Sequence, residues 1–275
     1  MLGAIIGDIV GSVYEFSNIK TKDFPLFGKY CDFTDDSILA IATADWLLHG
    51  GDVAKYYFRY ATKYRNPMGG YGGRFYDWVS EVEFSGRYNP YYSCGNGSAM
   101  RIAPVGWLKT SIPFNEEKNL LKIAQISAEC THNHPEGIKG AQATALCIYL
   151  ARKGMPGNEI RKRIERDFQY DLTLNVNEIR PRYSWQGLDG NGNGGTCQGS
   201  VPQAIVCALD ATDFEDAIRN AISIGGDSDT IGCIAGGIAE ALYGIPEDIR
   251  EKGMNYLPKE LKDIVEEFEL KYGCR

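Results

Sequence analysis

The chain has 275 residues, a formal net charge of −7, 44% hydrophobic residues and 24% charged residues. This length and composition are those of a folded globular protein of one large or two small domains, and they exclude a disordered chain. The acidic balance argues against nucleic acid or an anionic membrane as a partner, since both require clustered positive charge. Because the chain contains three histidines, a metal site would depend mainly on oxygen ligands.

The sequence carries no sign of a membrane or secreted protein. No uninterrupted apolar run reaches the roughly 18 residues that a spanning helix needs. The first residues, MLGAIIGDIVG, are apolar but lack a basic region, so we expect no signal peptide. Eight cysteines are scattered without metal-binding or redox spacing. This pattern predicts reduced thiols in a cytoplasmic protein.

Helical periodicity begins at the first residues. The apolar stripe of the first segment has the spacing of one helix face and comprises Leu2, Ile5, Ile6, Ile9, Val10 and Val13. Gly3, Gly7 and Gly11 recur every four residues beside this stripe. Because glycine lowers helix stability, the repeat indicates close packing against a neighbouring helix.

Capping residues and stop signals predict the further helices. These helices are 35–48 capped by Thr34, 116–130 after Asn115, 135–154 opened by Pro135, 214–222 with a capping box from Thr212 and Glu215, 231–242 ending at Gly244, and a last helix opened by Pro258. The alternation of a strand occurs only in residues 172–176. We therefore predict an all-α fold and a single domain over residues 1–275.

Three glycine-rich segments interrupt the helices. They are NPMGGYGGR at 66–74, YNPYYSCGNGS at 88–98 and SWQGLDGNGNGGTCQGS at 184–200. Such loops in a helical protein either approach a ligand closely or are flexible surface loops. The flanking aromatic residues favour a ligand-facing role for the first two, and the third remains open between the two interpretations.

Two acidic clusters stand at predicted helix starts, TDDS at 34–37 and GGDSDT at 225–230. Either cluster alone is explained by helix capping, because first-turn carboxylates favour the helix dipole. If the two starts meet, however, four carboxylates and two hydroxyls converge without obvious counter-charge. That oxygen set suits magnesium, manganese or calcium ions, two of which could be bridged.

An alternative uses the second cluster alone. Asp227, Asp229 and Thr230 match the DxDxT pattern of haloacid-dehalogenase-like phosphatases, in which the first aspartate is the nucleophile. That pattern must follow a buried strand, whereas an amphipathic helix is predicted before Asp227. The helical context argues against the phosphatase.

The N-terminal helix carries polar residues that point to the same region. Asp8, Ser12 and Glu15 are spaced four and three residues apart, so they share one helix face. A solvated polar face would explain them. The tight packing indicated by the glycine repeat instead favours an inward-pointing Glu15.

Six segments together resemble the ADP-ribosylglycohydrolase family, which includes the dinitrogenase-reductase-activating glycohydrolases and the eukaryotic ADP-ribosylhydrolases. The segments, in family order, are GDIVGSVYEF (7–16), TDDS (34–37), GGYGGRF (69–75), GNGSAMRIAP (95–104), THNHPEGIKGAQAT (131–144) and GGDSDTIGCIAGGIAEALYG (225–244). The resemblance implies a compact, orthogonal all-α domain with a binuclear magnesium or manganese site.

The resemblance also implies the residues of the site. The matching metal ligands are Thr34, Asp35, Asp36, Asp227, Asp229 and Thr230. Ser228 stands where the family usually has threonine. The matching substrate contacts are Gly70, Tyr71, Gly72 and Gly73 at a diphosphate, Ser93, Gly95, Asn96 and Gly97 at the adenosine, Tyr88 or Tyr91 on the adenine, and the pocket histidine His132. His134 has no counterpart and is predicted to cap the helix opened by Pro135.

The implied activity is hydrolysis at C1″ of an ADP-ribose conjugate, either a modified protein or a small molecule. Glu15, Asp35 and Asp229 are the candidate catalytic residues, as base for the water or acid for the leaving group. The leaving group stays open among arginine, serine, O-acetyl and nucleotide linkages, with arginine expected first. A non-catalytic ADP-ribose sensor or a structural protein descended from an enzyme is the alternative. The sequence does not indicate an oligomeric state.

Overall fold

The computed structural model describes residues 1–109 and 115–273. The helices in this part of the chain are α1 Leu2–Gly11, α2 Asp35–His49, α3 Val53–Lys63, α4 Gly73–Ser85, α5 Gly97–Met100, α6 Ala103–Gly106, α7 Glu116–Glu129, α8 Pro135–Arg152, α9 Gly157–Phe168, α10 Val176–Ile179, α11 Cys197–Leu209, α12 Phe214–Ser223, α13 Ser228–Tyr243, α14 Glu247–Tyr256 and α15 Lys259–Tyr272. The described residues form no strand, and two isolated bridges occur outside the helices. The all-α prediction is confirmed.

Helices α1 and α13 form the centre of the fold. All ten residues of α1 are buried, and so is α13 from Ser228 to Glu240. A Cβ atom on Gly7 would lie 1.9 Å from the carbonyl oxygen of Gly232, and one on Gly3 would lie 2.3 Å from that of Gly236. The two backbones therefore touch, as the glycine repeat predicted. Helices α2, α8, α11 and α12 pack around this pair.

Most predicted helix ends agree with the structure. The Thr34 hydroxyl accepts a hydrogen bond from the Asp36 amide at 3.2 Å, and Gly50 ends α2. Nδ1 of His134 accepts from the Glu136 amide at 3.1 Å, so this histidine caps α8. Gly244 ends α13 as expected.

One predicted helix cap is wrong. The cap of α12 is Asp213, whose carboxylate accepts from the Asp216 amide at 2.8 Å, so the capping box from Thr212 and Glu215 does not form. Asp213 provides the better local hydrogen bond. Residues 172–176, the one segment with the alternation of a strand, form no strand, and the Asn175 side chain caps the short helix α10 in a capping box with Glu178.

Several helices were not predicted from the sequence. Helices α4, α5 and α11 begin inside the three glycine-rich segments, while α3, α9 and α14 have no counterpart in the prediction. The buried hydrophobic side chains form one continuous cluster that extends from Met1 to Tyr272. None of the described helices is both long and apolar enough to cross a bilayer. The described cysteines are free, and Cys274 lies outside the described residues.

Candidate metal centre and ligand cavity

The contact between α1 and α13 brings the two acidic clusters together. A Cβ atom on Gly11 would lie 2.5 Å from the Cα atom of Asp229, so the end of α1 lies against the start of α13. The start of α2 reaches the same point through Asp8. Sequence-distant helix ends thus converge at one place in the core.

Asp8 is fully buried and holds the first turn of α2. Its carboxylate accepts hydrogen bonds from the Thr34 amide at 2.9 Å, the Thr34 hydroxyl at 2.6 Å, the Ser37 amide at 3.1 Å and the Ser37 hydroxyl. Burial raises the pKa of Asp8 to about 6, while these hydrogen bonds lower it. Ser12 is buried at the end of α1, and Glu15 follows in a turn beyond the helix.

Carboxylate oxygens converge beside this contact. One oxygen each of Glu15, Asp227 and Asp229 lies within 4.8 Å of the others, and the same holds for Asp8, Asp36 and Asp229. The Asn96 amide donates to Asp227 at 2.7 Å. The Thr230 hydroxyl donates to Oδ2 of Asp36 at 3.3 Å, whereas the buried Oδ1 of Asp36 has no hydrogen-bond partner in the part of the chain that the structure describes.

The electrostatics of this cluster favour a bound cation. Burial, and then repulsion between neighbouring carboxylates, raises the pKa values of Asp35, Asp36 and Asp229 well above their usual range. Burial and the charges of Asp227 and Asp8 raise the pKa of Glu15 to about 7. In residues 1–109 and 115–273, no lysine or arginine forms an ion pair with the cluster. A divalent cation would supply the missing positive charge, and the all-oxygen donor set fits a hard one.

A cavity of about 320 Å³ opens from the carboxylates toward a cationic and aromatic end. Its lining includes the predicted residues Glu15, Asp35, Asp36, Gly70, Gly72, Gly73, Ser93, Gly95, Asn96, Gly97, His132, Asp227, Asp229 and Thr230. It also includes residues that were not predicted as site residues, among them Arg74, Met100, Arg101 and Trp185.

Three predicted site residues do not line the cavity. Thr34 is buried behind it and bonds to Asp8. The Tyr71 hydroxyl donates to the Tyr64 carbonyl at 2.9 Å, and its ring packs on Phe75. Tyr88 packs edge-on against Phe58 and Trp78. Of the two tyrosines considered for the adenine, Tyr91 is the one that lines the cavity.

A buried arginine lies at the cationic end. Arg101 is fully buried and donates to the Ser127 carbonyl and the Thr131 hydroxyl, both at 2.7 Å, while its guanidinium lies 4.0 Å from the centre of the Tyr57 ring. Its Nε and Nη1 atoms have no hydrogen-bond partner among the described residues. No local pattern marked this arginine, because its surroundings come from helices distant in sequence.

His132 lies between this arginine and the glycine loop at 95–97. Burial, and then the positive charges of Arg101 and Arg74, holds the pKa of His132 well below its usual range. Its Nδ1 lies 2.8 Å from the Thr131 hydroxyl, and its ring packs on Tyr91 at 5.7 Å. A neutral, fixed imidazole beside a tyrosine suits contact with an uncharged ring of a ligand.

The structural context excludes the phosphatase pattern. Asp227 follows α12 and the turn of Gly225 and Gly226, and it begins α13. The strand that this pattern requires before its nucleophile is therefore absent at this position.

Comparisons with known proteins give consistent results. The family model described as ADP-ribosylglycohydrolase matches residues 1–273. The chain is 28% identical over 327 aligned positions to ADP-ribosylhydrolase ARH3 of Homo sapiens, covering 93% of this chain and 88% of that protein. It is 26% identical over 275 positions to ADP-ribosylarginine hydrolase Tri1 of Pseudomonas putida (strain GB-1), covering 89% and 70%.

The fold also matches a solved structure. An ADP-ribosylglycohydrolase-related protein complex superimposes with a TM-score of 0.67 at 25% identity, covering 96% of this chain and 94% of that one.

Proposed function

Because this chain belongs to the ADP-ribosylglycohydrolase family, we propose that it is a metal-dependent hydrolase of ADP-ribose conjugates. The reaction cleaves the glycosidic bond at C1″. The observation that carries the proposal is the uncompensated carboxylate cluster at one end of a cavity whose other end is cationic and aromatic. A ligand with a ribose at one end and a nucleotide at the other matches this arrangement.

Two divalent cations, magnesium or manganese, would be held by the two acidic helix starts. The residues for them are Thr34, Asp35, Asp36, Asp227, Asp229 and Thr230, and the orphaned Oδ1 of Asp36 supports the assignment. Bound there, the ions would orient ribose hydroxyls and lower the pKa of water. Asp8 positions this set by fixing Thr34 and the start of α2.

Other residues of the chain would bind the diphosphate and the adenosine and would transfer the proton. The glycine turn before α4 offers backbone amides at a helix start for the diphosphate. Ser93 to Gly97, Tyr91 and His132 would enclose the adenosine. Glu15, Asp35 or Asp229 would move the proton, as the oxygen of water bonds to C1″ and the leaving group departs with a proton.

Arginine-linked ADP-ribose is the first substrate to test. The activity named for the bacterial relative, an ADP-ribosylarginine hydrolase, supports this choice. Serine, O-acetyl and nucleotide linkages complete the panel. The continuous hydrophobic cluster supports a single working domain, and the free cysteines support a cytoplasmic location.

The test measures release of ADP-ribose from this panel by purified protein with magnesium or manganese. We expect turnover that stops in excess EDTA and is lost in Asp229→Asn. Asp77→Asn, which removes an exposed carboxylate on α4, is the matched control and retains full activity. Full activity in EDTA contradicts the metal assignment. Tight ADP-ribose binding by calorimetry without turnover of any linkage contradicts hydrolysis and favours the sensor.

A further inference from the structure

Two loops that contain none of the proposed metal ligands meet at the carboxylate end of the cavity. One carries Phe16 and the other carries Trp185. The rings of Phe16 and Trp185 stack with an interplanar angle of 5° and a centroid distance of 6.1 Å. Trp185 lines the cavity, and its Nε1 donates to the Glu15 carbonyl at 2.7 Å. The stacked pair is therefore attached directly to the backbone of a candidate catalytic residue.

Phe16 is exposed yet held in place. Phe16 is 74% exposed. The Asn18 side chain donates to the Gly226 carbonyl at 2.9 Å and accepts from the Gly226 amide at 2.7 Å. Lys20 donates to the carbonyls of Tyr183 and Ile224. These hydrogen bonds connect both loops to the segment before Asp227. The two rings are therefore held in their stacked arrangement before a ligand binds.

The charges of the cavity are divided between its two ends. Arg74 lies over the Tyr91 ring at 5.2 Å, and Arg101 contacts Thr131 beside His132. No cationic side chain among the described residues lines the end that carries Trp185 and Glu15, and Lys20 is engaged by backbone carbonyls. An anionic part of a ligand is therefore favoured at the arginine end, and a cationic leaving group meets no cationic side chain of the described residues beside Trp185.

We propose that Phe16 and Trp185 form a platform that binds the cationic guanidinium of an arginine leaving group. The inference rests on the proposed function and adds the residues that select the linkage. Aromatic faces attract planar cations, whereas a serine or O-acetyl leaving group offers no charge to them.

The experiment compares kcat/KM of the full chain on an arginine-linked and an O-acetyl-linked ADP-ribose conjugate. We expect Phe16→Ala to lower the arginine-linked value about tenfold and the O-acetyl value less than about twofold, as loss of a cation–π contact predicts. Trp185→Phe, which keeps a ring, retains most of the preference. Phe84→Ala, which removes another exposed phenylalanine, is the matched control and changes neither value.

A binding measurement by calorimetry provides a readout independent of turnover. Agmatine, which carries the guanidinium, should bind the wild-type protein more tightly than its analogue with an uncharged urea group in place of the guanidinium, and Phe16→Ala should remove the difference. Equal losses on both linkages in Phe16→Ala would indicate a merely structural role and overturn the inference, as would equal binding of both compounds.

Failure of the platform and failure of the proposed function give different results. If the wild-type protein cleaves the O-acetyl conjugate but not the arginine conjugate, the platform is wrong while the proposed function stands. If no conjugate releases ADP-ribose, the proposed function fails and the platform with it.

Discussion

Glu15 joins the carboxylate cluster from the half-buried mouth of the cavity, where protons and cations compete for it. Burial and the neighbouring charges of Asp227 and Asp8 raise its pKa to about 7. Burial, and then the charges of Asp227, Asp36 and Glu15, raises the pKa of Asp229 well above its usual range. A carboxyl group that holds a proton near neutral pH must release it before it can bind a metal ion.

We therefore predict that affinity for manganese rises between pH 6 and pH 8 and that binding releases protons. Calorimetry in two buffers of different ionisation enthalpy measures both quantities. Glu15→Gln should make the affinity less dependent on pH and release fewer protons, whereas the exposed Asp77→Asn should match the wild type. An affinity that is constant over this range, or identical proton release in Glu15→Gln, contradicts the role of Glu15 beside the ions.

At the scale of elements, the close contact between α1 and α13 determines where the carboxylates lie. Gly3 and Gly7 on α1 face the carbonyls of Gly236 and Gly232 on α13, with no room for a methyl group. Since Asp8 lies on α1 and Asp229 begins α13, the separation of the two helices sets the separation of their carboxylates.

Gly7→Ala should lower both stability and cation affinity. The new Cβ atom would meet the Gly232 backbone, which cannot rotate away, so the helices must separate. We expect a loss of about 1–3 kcal/mol in the free energy of unfolding, as for other overpacked cores. Denaturant unfolding and manganese titration measure the two effects.

Gly157→Ala is the control for this substitution. A Cβ atom there would lie 3.6 Å from Leu209, at ordinary contact distance, at the start of α9. This variant should unfold like the wild type or slightly later. A Gly7→Ala protein with unchanged stability would show that the helix contact tolerates a side chain, which contradicts the packing argument.

At the scale of the whole molecule, the acidic excess is concentrated in the core as well as on the surface. Two divalent cations would change the formal charge from −7 to −7 + 4 = −3. The cluster's raised pKa values mean that the folded state binds protons more tightly than the unfolded state. Stability of the metal-free protein is therefore lost as the pH rises through these values.

The whole-molecule prediction is a cation-dependent melting temperature. At a concentration 100 times the dissociation constant, a ligand of the native state adds about 2.7 kcal/mol. For a domain of this size this corresponds to a rise of about 5–10 °C, measured by calorimetry in magnesium or manganese against EDTA. In EDTA the melting temperature should fall from pH 6 to pH 8.

Asp229→Asn is the test variant for this behaviour. It should melt at the same temperature with and without the cation, and its melting temperature in EDTA should depend less on pH. If the melting temperature of the wild-type protein is the same with cation and with chelator, the metal assignment is wrong.

The sequence by itself determined the helical class, many helix ends and the two acidic starts. These features depend on neighbouring residues: the spacing of apolar side chains, a cap such as Thr34, and a stop such as Gly244. The glycine repeat of α1 likewise indicated its close contact. Where a nearby side chain offered a better acceptor, as Asp213 did, the local prediction was wrong.

Only the tertiary structure decided how these local features combine. A first-turn aspartate can cap a helix in water or join a cluster, and the sequence of that turn is the same in both cases. Asp8 meets Thr34, Arg101 approaches His132, and Phe16 stacks on Trp185 across 26, 31 and 169 positions of the chain. Such contacts depend on how the helices pack around α1 and α13, because no local rule links residues that separate elements bring together.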